Sequence, residues 1–176
     1  HGIYKLLSND GDKGKVQLLG SGTILNEVMK AGEILSSEYG IGSDVFSVTS
    51  FNELARDGQD AARQNLLQPE AEPRVPYIAN VLGAEPAIAA TDYMKNYAEQ
   101  VRAFIPAESY AVLGTDGYGR SDSRENLRTH FEVNRHYVVV ATLNELAKRG
   151  DVEPSTVTEA ISKYEIDVNK PNPLFC

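Results

Sequence analysis

The chain has 176 residues, 41% hydrophobic and 24% charged, which predicts one globular domain with a sizeable core. Its formal net charge is −8, from 25 acids against 17 bases, which argues against a nucleic acid partner and leaves a basic protein partner open. No apolar run nears the roughly 20 residues of a membrane span, and no charged-then-apolar leader opens the chain.

Along the chain, "GIYKLL" and "KVQLLGSG" flank the turn-rich "SNDGDKG", a pattern that predicts two antiparallel strands joined as a hairpin. Ile24, Val28, Ala31 and Leu35 then recur at helical spacing from Thr23 to about Tyr39. Two glycines in "YGIGSD" end that helix, and "VFSVTS" (45–50) reads as a buried strand. Residues 51–67 are helix-prone, with an interruption expected at Gly58, and "QPEAEPRVP" must be a loop because it holds three prolines. "PAIAAT" (86–91) is a short strand running into a helix with Tyr93, Tyr97, Val101 and Phe104 on one face. "YAVLGT" (110–115) is the last strand. Three helical stretches follow, marked by Leu127 and Phe131, by Val139, Leu143 and Leu146, and by Val157, Ala160 and Ile161 behind Pro154. Alternating strands and helices without a repeat predict an α/β fold with a mostly parallel sheet, formed as a single domain over residues 1–176.

The only cysteine, Cys176, is terminal, which rules out an internal disulfide, favours a reducing compartment and disfavours zinc. The chain opens on His1 and Gly2 rather than methionine, the mark of a processed or excised piece. Two segments invite a functional reading. "LLGSGTIL" places Gly20 and Gly22 between strand and helix, as dinucleotide-binding folds do, but Leu25 stands where the third glycine belongs. The turn is therefore read first as a tight strand-to-helix connection, with anion binding as the alternative.

"GTDGYGRSDSRE" (114–125) packs three glycines, three acids and two arginines behind a strand. Asp122 and Glu125 have capping-box spacing for the helix through Leu127. Asp116 and Asp122 have the chemistry to hold a metal, but ion pairs with Arg120 and Arg124 bracing the loop are the plainer expectation. Ser121 or Ser123 with His130 does not make a catalytic triad, because seven to nine residues of helix separate the groups too far. His130 reads as a helix-surface or interface residue. Asp92 is positioned to cap the helix after its strand, and Tyr93 and Tyr97 read as core residues.

Taken together, "KVQLLGSGTIL", "GSDVFSVTSFNELARDGQD", "PRVPYIANVL", "TDYMKNYAEQVRAFIP" and "GTDGYGRSDSRENLRTHFEVNRHYVVVATLNELAKRG" closely resemble the C-terminal part of the homodimeric bacterial pyruvate dehydrogenase decarboxylating components. More widely, the strand-Gly-x-Gly start, the Ser-Phe-x-Glu after the second strand and "YGRSDSRENLRTHFEV" resemble the C-terminal domain of transketolases. The resemblance implies a three-layer α/β/α domain with a five-stranded, mostly parallel sheet and one antiparallel edge strand. It further implies a cytoplasmic bacterial enzyme that decarboxylates pyruvate and passes the acetyl group to lipoamide on the dihydrolipoyl acetyltransferase. Thiamine diphosphate and magnesium belong to other domains of such enzymes, and none of their binding or catalytic motifs occurs here. The resemblance therefore assigns this chain no catalytic, cofactor or metal residue. Its expected role is assembly, with docking of the acetyltransferase as a further expectation, and Asp116, Tyr118, Arg120, Asp122, Arg124 and His130 are interface positions toward the remaining domains and the second subunit. A stand-alone ligand-binding or regulatory α/β module, built on the Gly20–Gly22 turn and "GTDGYG", is the alternative from a different class.

Overall fold

Five apolar runs become strands in a computed structural model that describes every residue, His1–Cys176. They are β1 (Ile3–Asn9), β2 (Lys15–Gly20), β3 (Gly42–Val48), β4 (Ala87–Ala90) and β5 (Tyr110–Leu113). Their order in the sheet is β1-β3-β2-β4-β5, with β1 antiparallel to β3 and every other pair parallel. The mostly parallel sheet with one antiparallel edge is thus present, but the hairpin is not. β3 lies between β1 and β2, so the two N-terminal strands never touch. The "SNDGDKG" link crosses the start of β3 instead, tied down by Lys13 N–H to Gly40 O (2.9 Å) and Gly42 N–H to Gly14 O (2.9 Å). Gly11 is needed there, because a Cβ would stand 2.1 Å from the Gly42 nitrogen.

Side chains alternate across the strands and seal the two faces with different helices. One core joins Val16, Leu18, Val45 and Ile88 to α1 (Leu25–Tyr39), α6 (Arg135–Arg149) and α7 (Pro154–Lys163), through residues such as Val28, Leu35, Val139, Leu143 and Ala160. The other joins Leu19, Phe46, Ala87 and Ala89 to α2 (Phe51–Leu67), α3 (Tyr77–Val81) and α4 (Lys95–Glu99), through Leu54, Ile78 and Ala98. The result is a three-layer α/β/α sandwich whose two faces are closed by the chain's own helices.

Several elements differ from expectation for local reasons. α2 runs unbroken through Gly58, where the ring of Phe104 lies against the bare backbone: a Cβ would come within 2.3 Å of it. The helix expected from Tyr93 to Phe104 is only α4 followed by a 3-10 turn at Arg102–Phe104. At the break, the Ala98 carbonyl accepts from Tyr110 OH at 2.8 Å, which ties the end of α4 to β5. The one-turn α3 lies hidden in "RVPYIANVL", after a Pro76 that fixes the chain for helix entry. α1 ends as expected, on Gly40 (φ 68°), and α6 ends in the same way on Gly150 (φ 81°).

Asp44 on β3 ties three neighbouring strands, meeting Lys5 of β1 and Lys15 of β2, each at 2.8 Å, and accepting from Ser8 Oγ at 2.7 Å. Burial works against its charge, yet the two lysines and the serine hold its carboxyl down at about 2.

Candidate functional site

The carboxyl edge of the parallel strands, where α/β folds expose their binding surfaces, collects the Gly20–Gly22 turn, Asp92 and the 114–123 loop. At the turn, Gly22 takes φ 59° and the carboxylate of Asp92 fills the space beside it, so that a Cβ would lie 2.7 Å from Oδ1. Thr23 donates to Asp92 Oδ2 from its backbone N–H at 3.4 Å and from its hydroxyl at 3.2 Å. The position that dinucleotide-binding folds give to phosphate is held by the chain's own acid. Asp92 therefore does not cap the helix after it; α4 starts behind Met94 without a side-chain cap. Tyr93 is half-buried and hydrogen-bonded to Ser21 Oγ at 2.6 Å, whereas Tyr97 sits edge-on to it and stays 44% exposed, so only Tyr93 is a core residue.

The loop is organised differently from its expected ion-pair bracing. Asp116 Oδ1 accepts from Lys95 N–H at 3.2 Å. Asp122 Oδ1 accepts from Ser123 N–H at 2.6 Å and from Asn126 Nδ2 at 2.8 Å. With both acids committed elsewhere, Arg120 and Arg124 have no carboxylate partner. They line a 310 Å³ cavity with Thr23, Ile24, Leu127 and Phe131. The two acids do not converge, and no group of three His, Cys, Asp or Glu side chains is placed to hold a metal ion. The cap of α5 (Arg124–His130) is Ser123, whose hydroxyl accepts from Asn126 N–H at 3.2 Å. Asp122 stands one residue too early, and Glu125 makes no bond back to the cap, so the expected capping box is replaced by a serine cap.

His130 stacks edge-on against Phe131 at 4.8 Å, with its Nε2 buried and unpartnered. Burial and the nearby Arg120 and Lys170 charges lower its pKa. Its carbonyl accepts from Lys170 Nζ at 2.8 Å, and the same ammonium meets Glu132 at 2.9 Å. Tyr118 is 75% exposed.

The strongest polar knot was invisible in the sequence. Glu27 of α1, almost fully buried, accepts from Arg128 Nη1, Arg135 Nε and Arg135 Nη2, each at 3.0 Å, and from Arg135 N–H at 2.9 Å. Burial opposes its charge, but the arginine bonds win and hold the carboxyl below its usual range. Glu27 lies 101 and 108 residues from these partners, so no local pattern signals the contact. Gln17 is another case: its buried amide bonds Gly83 and Glu85 and fixes the link into β4.

Exposed apolar side chains also gather at this edge. Gly117 packs so closely on Pro173 that a Cβ would lie 2.0 Å from its carbonyl oxygen, so the chain segments that carry Tyr118, Leu174 (49% exposed) and Phe175 (78%) meet at this point. Met94 (53%) adjoins the same loop through the Lys95–Asp116 bond. At the opposite edge the cavity lining is mostly charged, with Lys13, Lys15, Glu85, Glu108, Arg149 and Asp151.

The family model described as "Transketolase-like TK C-terminal domain" matches residues 2–134. The chain belongs to this family. Among curated relatives, the pyruvate dehydrogenase E1 component of Escherichia coli (strain K12) is 64% identical over 172 residues, covering 98% of this chain and 19% of its own. The protein of the same name from Haemophilus influenzae is 57% identical over 99% of this chain and 20% of its own. The chain thus spans about a fifth of the length of the relatives it matches. Among solved structures, transketolase from Leishmania mexicana aligns with a TM-score of 0.55 at 23% identity, over 85% of this chain and 18% of its own. That likeness carries the transketolase C-terminal fold. No helix of this domain is long and apolar enough to cross a membrane.

Proposed function

We propose that this chain is the C-terminal domain of a bacterial, cytoplasmic pyruvate dehydrogenase E1 component. The observation that carries this reading is 64% identity along 98% of the chain to a protein of that name that is about five times longer. In the whole enzyme the reaction is the oxidative decarboxylation of pyruvate, with the acetyl group passed to lipoamide on the dihydrolipoyl acetyltransferase.

Thiamine diphosphate and magnesium are the cofactors of that chemistry, and the residues of this chain do not fit them. A diphosphate at Gly22 would face the Asp92 carboxylate, and the loop acids Asp116 and Asp122 are turned to separate partners. No step of the reaction is assigned to these residues. Their role is assembly: Asp116, Tyr118, Arg120, Asp122, Arg124 and His130, at the carboxyl edge, face the remaining domains or the second subunit. The exposed Tyr118, Leu174 and Phe175 support this, since apolar groups gathered in one patch mark interaction surfaces. The Asp92 carboxylate in the glycine turn counts against an anion-binding regulatory module built on that turn.

The test is an assay with pyruvate, thiamine diphosphate and magnesium. The longer protein turns over and the 176-residue chain does not; turnover by the chain alone would refute the reading.

A further inference from the structure

We infer that the 310 Å³ cavity between Thr23, the 115–120 loop and α5 is a carboxylate-binding site in which Arg120 and Arg124 hold the anion. The first observation is how this chain treats its other arginines. Arg56, Arg74, Arg102, Arg128, Arg135 and Arg149 each meet a carboxylate within 4 Å. Of those left, Arg63 stands apart on α2, while Arg120 and Arg124 line one cavity. In a chain with 25 acids against 17 bases, two guanidinium groups that line one cavity with no carboxylate within 4 Å of either are free to take an incoming counter-charge.

The second observation is the shape and lining of the cavity. Ile24 and Val133 are buried in its floor, Leu127 and Phe131 are half-buried, and the arginines form a polar rim. An apolar floor below a cationic rim suits a carboxylate attached to an apolar body, and the volume lies at the lower end of the range of about 300–1,000 Å³ for small-molecule pockets. The planar guanidinium presents paired N–H donors that match the two oxygens of a carboxylate. Asp92, the one acid on the wall, stays at the Gly22 end bonded to Thr23, and the two arginines outnumber its charge. Around Gly119 no atom lies within 4 Å of a built Cβ, so the rim is open to an entering group.

The carboxylate is either that of a free small molecule or an Asp or Glu side chain from polypeptide outside these 176 residues. Only the second source rests on the E1 reading.

The first arm of the test titrates the 176-residue chain with benzoate and follows backbone and arginine Nε–H resonances by NMR. Saturable shifts are expected at Gly117, Gly119, Arg120, Arg124 and Leu127, weakened about tenfold or more in the Arg120→Gln/Arg124→Gln variant, as loss of charged hydrogen bonds requires. Absence of saturable shifts, or shifts unchanged in that variant, overturns the inference. The second arm labels the longer protein with phenylglyoxal. Arg120 and Arg124 protected relative to Arg63, with benzoate bound by the 176-residue chain but not by the longer protein, assign the site to an internal side chain. Arg120 and Arg124 labelled as fast as Arg63, with benzoate still bound and slowing them, assign it to a free carboxylate. Intact mass of the native protein checks the E1 reading separately: a native chain of only 176 residues ends that reading while leaving the benzoate result standing.

Discussion

Glu27 and Arg135 are joined by three hydrogen bonds, one from the arginine backbone and two from its guanidinium, which lock the first turn of α6 onto α1. Replacing Glu27 by alanine strands two arginines against a buried gap. Loss of one partner of a fully buried pair costs about 3–5 kcal/mol; Arg135 is half-exposed, so about 2–3 kcal/mol is expected. Urea unfolding of Glu27→Ala measures this; Arg135→Ala should cost more than Arg128→Ala, and the reverse order would show that Arg135 is not the main partner.

Asp44 makes stability depend on acid. Its carboxyl titrates at about 2 in the folded chain against 3.8 ordinarily. A depressed folded value stabilises fully above the ordinary one and is lost as pH falls through the folded one. The contribution is about 2 kcal/mol, present above pH about 4 and gone near pH about 2. Asp44→Asn should therefore lower the urea midpoint at neutral pH, and the gap to the parent chain should close between those two values. A gap that persists at the acid end would mean that packing, not charge, is what Asp44 supplies.

Gly58→Ala should destabilise in spite of the better helix propensity of alanine. The gain in propensity is about 1 kcal/mol, but the new methyl group meets three carbons of the Phe104 ring at 2.3–2.5 Å, and overpacking costs about 1–3 kcal/mol. Adding Phe104→Leu to Gly58→Ala should restore part of the loss in thermal unfolding. An alanine variant more stable than the parent would show that the ring moves freely.

Ser123→Ala should weaken α5 more than Asp122→Ala does. The serine hydroxyl satisfies the Asn126 N–H, and loss of such a cap costs about 0.5–2 kcal/mol. Hydrogen exchange at Glu125 to Leu127 reads the effect directly. Faster exchange in Asp122→Ala than in Ser123→Ala would return the cap to Asp122.

The features that could be read from the sequence were those set by neighbours along the chain. The runs behind β2 to β5, the apolar stripe of α1 and the glycines that end α1 and α6 depend on short-range pattern and backbone freedom. The partner of β1 is β3, a strand distant in sequence, whereas "SNDGDKG" reads as a hairpin turn because it is made of turn residues. Where α4 stops, a tyrosine on β5 bonds its Ala98 carbonyl, a contact that no helical period records. At the candidate site, the loop and its residues were legible, but their pairing was not. Asp116 and Asp122 turn to Lys95, Ser123 and Asn126, and this leaves Arg120 and Arg124 without the acids that the composition seemed to provide.

The antiparallel direction of β1 has a consequence for tethering. Ile3 pairs with Val48 at the carboxyl end of β3, and Gly2 O accepts from Thr49 and Ser50, so the chain enters the sheet at the same edge as the 114–123 loop. The C-terminal tail returns to that edge at Pro173, against Gly117. Any polypeptide joined before His1 therefore leaves on the side of the sheet that carries Tyr118, Arg120 and Arg124, with β1 and β5 at opposite ends of the strand order. A short flexible covalent anchor on that side gives effective concentrations in the range of about 1 mM, so contacts too weak to hold two separate proteins suffice to keep a tethered one seated.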